Sequence, residues 1–75
     1  MSNKLKQVAI ALSETVECIE TLETAKEEYE NLLLDNSLDE DEKNLHQVAL
    51  TAIGYAIGNL QMNANMMLGI YKSLS

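Results

Sequence analysis

Glu14, Glu17, Glu20 and Glu23 recur at every third residue, and Glu27 with Glu30 repeats the spacing, so overlapping Glu-x-x-Glu pairs run along the first half of the chain. Two carboxylates one helical turn apart can share a divalent cation, and a magnesium ion held that way can serve phosphoryl chemistry. Such a site also needs acids from a second element and a basic group for the phosphate. All twelve acidic residues lie between Glu14 and Glu42, and no basic cluster faces them. The pairs therefore read as solvated carboxylates on the wet side of a helix.

Other metal and nucleophile patterns fail on single residues. Paired carboxylates of this kind are similar to those of all-helical, magnesium-dependent nucleotide pyrophosphohydrolases, which leaves such an enzyme as an alternative reading. A di-iron bundle would need histidine three residues after an inward glutamate, and Leu45 stands there after Glu42. The segment Asp35 to His46 aligns on a calcium loop, but Glu40 replaces the required glycine and His46 the closing glutamate. His46 is the lone histidine, beside an apolar face, and reads as structural. Cys18 is the only cysteine; it can close no internal disulfide and has no cation nearby to stabilise a thiolate. No catalytic residue, metal or cofactor is expected.

The elements that carry these residues follow from composition. Proline, tryptophan and phenylalanine are absent and all three glycines fall in the second half, so long helices can run unbroken. Leu5, Val8, Leu12, Thr15, Ile19, Leu22, Lys26, Tyr29 and Leu33 alternate at three and four residues, which predicts one helix from about residue 3 to 34. A turn is expected over about 35–39, with Ser37 and Glu40 as a capping box and Asp39 to Glu42 in the first turn of a second helix. That helix is expected from about 40 to 74. The short connection makes the two antiparallel neighbours, a single all-α hairpin domain.

The second helix is apolar on more than one side. Leu50, Ile53, Ile57, Leu60, Ala64, Met67, Tyr71 and Leu74 form one flank; Leu45, Val48, Ala52, Tyr55, Met62, Met66 and Ile70 form another, with Asn59 and Asn63 among them. A surface helix hides a stripe a little over 100° wide, and one partner cannot cover both flanks. Dimerisation of the hairpin into a four-helix bundle is expected, with Leu50, Ile53, Ile57, Leu60, Met67, Tyr55, Asn59, Met62, Asn63 and Met66 as the oligomer interface. The two asparagines could pair across it and fix its register. Gly54 and Gly58 form a notch where another backbone could approach closely.

The uncharged run from Gln47 to Tyr71 is long enough to make a small membrane-spanning protein an alternative. Asn59, Gln61, Asn63 and Asn65 in mid-span argue against it. The first residues lack a convincing apolar signal segment, so no signal peptide is read and a cytoplasmic protein is expected. A net charge of -7 disfavours direct binding to nucleic acid or an anionic membrane.

What remains is protein binding. The expectation is a small, acidic, self-associating protein that acts as a regulator, adaptor or inhibitor, such as phages or bacteria encode against a host or defence protein. Its partners would be itself and a target with a basic surface, met by the acidic face of Glu20, Glu23, Glu27 and Glu30 or by the glycine notch. A DNA-mimic inhibitor using the acidic face is the extreme form of that alternative.

Overall fold

The computed structural model describes residues 3–75, and among them the regular elements are two α-helices, α1 (Asn3–Leu32) and α2 (Glu40–Leu74). They lie against each other along their length. Nothing in α1 interrupts the backbone, and its threonines turn inward on it. Thr15 Oγ1 donates to the Ala11 carbonyl at 2.8 Å, while Thr21 and Thr24 do the same to Glu17 and Glu20 at 3.1 Å. That bond lets Thr15 sit half-buried in the seam with its hydroxyl satisfied.

The end of α1 comes two residues earlier than its apolar spacing predicts. Leu33 N–H still donates to the Tyr29 carbonyl, but Leu34 and Asp35 donate to Asn31 and Leu32, each at 3.1 Å. These three-residue steps tighten the last turn and release the chain. Asp35 Oδ1 then accepts from the Ser37 N–H at 2.9 Å and from the Ser37 hydroxyl at 2.8 Å. The backbone bond first, and the hydroxyl second, hold the exposed Asp35 carboxyl below its ordinary value of 3.8.

Ser37 does not cap α2, because the helix begins only at Glu40. Asp39 does so instead, in extended backbone, with its Oδ1 accepting the Glu42 N–H at 2.8 Å. Glu40, Asp41 and Glu42 occupy the first turn and Lys72 the last, the charge order that the helix dipole favours.

The seam of α1 turns inward at every residue that its spacing names except Lys26, which is exposed; half-buried Ala25 takes the adjacent place. From α2 the half-buried or buried residues include His46, Leu50, Ile53, Ile57, Leu60, Ala64, Met67 and Tyr71, and Leu74 is exposed. Near the turn, the rings of Tyr29 and His46 meet edge to face at 5.6 Å. His46 is thus a packing residue at the closed end of the hairpin.

Two helices side by side cannot enclose much. Only Ile19 and Ile57, both 9 % exposed, count as buried among the described residues. The hairpin is a rod of 55 × 14 × 13 Å with a radius of gyration of 17.0 Å; a globular chain of this length would have about 11 Å. Its accessible surface of 5630 Å² exceeds by roughly 1000 Å² what a compact monomer of 8.3 kDa exposes.

Candidate binding surfaces

Part of this surface is apolar and continuous along α2. Leu45, Val48, Ala52, Tyr55, Asn59, Met62 and Met66 follow one another at steps of three and four along α2, and every one of them is exposed. Tyr55 is 73 % exposed, Leu45 69 %, and Met62 and Met66 62 % each. At 100° per residue this stripe lies roughly 140° around the helix from the seam that meets α1. The ten residues expected to form an oligomer interface thus divide. Leu50, Ile53, Ile57, Leu60 and Met67 are turned to α1, while Tyr55, Asn59, Met62, Asn63 and Met66 are exposed.

A second surface lies between the helices. Glu23, Glu27 and Glu30 from α1 and Gly54, Gly58 and Gln61 from α2 line an open groove of about 650 Å³, with Ile57 at its base and Lys26 among the carboxylates. The acidic face and the glycine notch, two separate candidates in the sequence, are therefore two walls of one groove. Glu20 is exposed but lies outside it. A Cβ added at Gly54 or Gly58 would meet nothing within 4 Å, so the hairpin itself makes no use of the missing side chains.

No known protein family, characterised protein or solved structure matches the chain. Function must be read from these two surfaces and from the chemistry of their residues.

Among the described residues, no three His, Cys, Asp or Glu side chains come together as a group that could hold a metal ion. The Glu-x-x-Glu pairs stay spread along the outside of α1, where Glu14, Glu17, Glu20, Glu23, Glu27 and Glu30 are all exposed. Among the same residues no helix is long and apolar enough to cross a membrane. Cys18 is exposed. Sequence reasoning missed Lys26 and Gln61 as groove residues; Lys26 was hidden by its place in the three-four spacing, and a charged residue within an otherwise apolar seam is the signal that could have found it.

Proposed function

We propose that this chain is a non-catalytic protein-binding module that self-associates through α2 into a four-helix bundle and presents its acidic groove to a target. The observation that supports this reading is the second apolar stripe of α2, exposed along its length on a hairpin in which, among the described residues, only Ile19 and Ile57 are buried. An apolar stripe of that length on a protein this small marks an interaction surface.

The groove supplies the second contact. Three carboxylates along a rigid helix attract and orient a basic surface, and the bare Gly54 and Gly58 let that surface approach the α2 backbone. A regulator, adaptor or inhibitor working in the cytoplasm, of the kind phages or bacteria direct at a host or defence protein, combines these features. Light scattering after size exclusion, over a hundredfold range of concentration, tests the self-association. A dimer or larger mass is the expected result. A helical monomer at every concentration would overturn it and leave the outer stripe without an occupant of its own kind.

A further inference from the structure

We infer that the occupant of the exposed stripe is a second copy of the chain, docked antiparallel, with Tyr55 of each copy facing Asn59 of the other. The inference rests on the self-association proposed above and specifies its geometry. Four observations carry it.

The first is spacing. Leu45, Ala52, Asn59 and Met66 are seven residues apart, and Val48, Tyr55 and Met62 interleave with them, the pattern of a coiled-coil seam. In an antiparallel pair each residue of one series faces one of the other. Setting Tyr55 against Asn59 brings Ala52 against Met62 and Val48 against Met66, with Leu45 against Gly69 at the ends. Each layer then combines a larger side chain with a smaller one, which keeps the helix separation even along the seam. A parallel pair would instead set Ala52 on Ala52, leaving a gap, and Tyr55 on Tyr55 directly beside it. Sliding the antiparallel pair by a heptad sets Met66 against Asp41 in one direction and Val48 against Ser73 in the other, so an apolar side chain meets a polar one.

The second is chemistry within the layers. The Tyr55 hydroxyl and the Asn59 amide come within mutual reach twice, once on each side of the two-fold axis. Polar groups buried by association are thereby given partners.

The third is charge. The turn end of the hairpin carries Asp35 and the run from Asp39 to Glu42 against a single cation, Lys43, while the open end carries Lys4, Lys6 and Lys72. Antiparallel docking sets each acidic end beside the other copy's basic end. Parallel docking would set acid beside acid.

The fourth is area. Five large side chains, Leu45, Val48, Tyr55, Met62 and Met66, stand at least 62 % exposed. At roughly 100 Å² of apolar area each, with Ala52, Asn59 and the flanking atoms added, they approach the ~800 Å² per partner of a stable interface.

The arrangement fixes where the grooves point. Gly54 and Gly58 lie roughly midway between the two seams of α2, on the wide side of the helix, so docking leaves the groove uncovered. The two-fold axis of an antiparallel pair runs perpendicular to the helices, and it carries one groove onto the other on the same face. A parallel pair would turn the grooves to opposite faces.

Cysteine pairing on full-length chains, with Cys18→Ser as background, tests the geometry. Ala52→Cys chains mixed with Met62→Cys chains are expected to form mixed disulfide dimers on oxidation. Ala52→Cys chains alone are expected to form none, since their sulfurs lie about 15 Å apart along the seam. Both sites are exposed in the hairpin, so folding is checked by an unchanged helical spectrum. Disulfide dimers from Ala52→Cys alone would overturn the antiparallel register while self-association stands. A noncovalent dimer that forms neither product would overturn this seam as the interface, and a monomer would overturn self-association with it. As a second probe, Met62→Glu is expected to weaken the dimer at least about tenfold with helicity retained. Unchanged dimer mass in that variant would overturn the proposal.

Discussion

Replacing Gly54 and Gly58 together by alanine should make the hairpin more stable. Both positions are helical and exposed, and an added Cβ meets nothing within 4 Å at either. No clash or repacking then opposes the difference in helix propensity, which is about 0.8–1.0 kcal/mol per glycine in a helix interior. The two substitutions together contribute about 2 kcal/mol. For a chain of this size, about 1 kcal/mol moves the melting temperature by roughly 4–8 °C, so a rise of about 8 °C or more is expected. Urea unfolding followed by circular dichroism gives the free energy directly, at one fixed protein concentration because assembly contributes to stability. A loss of stability, or no gain, would refute the reasoning, since it would mean that a backbone rests on those glycines in the unliganded protein. A gain accompanied by a lower oligomer mass would place self-association in the groove rather than on the outer stripe. The groove reading expects a third result together with the gain: weaker capture of the target, because two methyl groups now stand where its backbone approaches.

Four further outcomes follow from the contacts described. Asp39→Ala removes the side chain that accepts the Glu42 N–H and should cost about 1 kcal/mol, read as a lower urea midpoint. His46→Ala should cost about 1 kcal/mol through the lost edge-to-face contact with Tyr29, measured the same way at neutral pH. The folded-state value of Asp35 lies below 3.8, so its stabilising effect is complete above that value and is lost as pH falls through the lower folded one; the stability gap between wild type and Asp35→Asn should close along that acid limb. Glu23→Lys with Glu27→Lys should leave helicity and oligomer mass unchanged while weakening cross-linking to the target, and unchanged cross-linking would remove the acidic wall from the binding site.

The hairpin was legible because apolar spacing is a local signal that burial acts on directly. Leu5, Leu12, Ile19 and Leu22 turn inward as their spacing predicts. Lys26 departs from it, although Ile19 and Leu33 one heptad to either side turn inward, because a lysine there would have to lose its hydration; it lies among the groove carboxylates and Ala25 takes the adjacent place. The cap was ambiguous for another reason. Ser37 and Asp39 each stand three residues before a glutamate, and the choice between them is the start of α2 at Glu40, which leaves Asp39 to accept the Glu42 N–H. The groove was out of reach of either helix alone. Its carboxylates and glycines come from separate elements, and their meeting depends on how far along each other the helices pair, which no local pattern encodes.

A rod in which, among the described residues, Ile19 and Ile57 alone are buried has consequences for how much of the protein a cell can keep. If a second copy completes the core, the folded fraction depends on abundance as well as on sequence. Newly made chains at low numbers would spend more time open to proteases, and chains above the dissociation constant would protect one another. Under that arrangement the protein has a threshold: a brief or weak burst of synthesis leaves little behind, and sustained synthesis accumulates a stable pool.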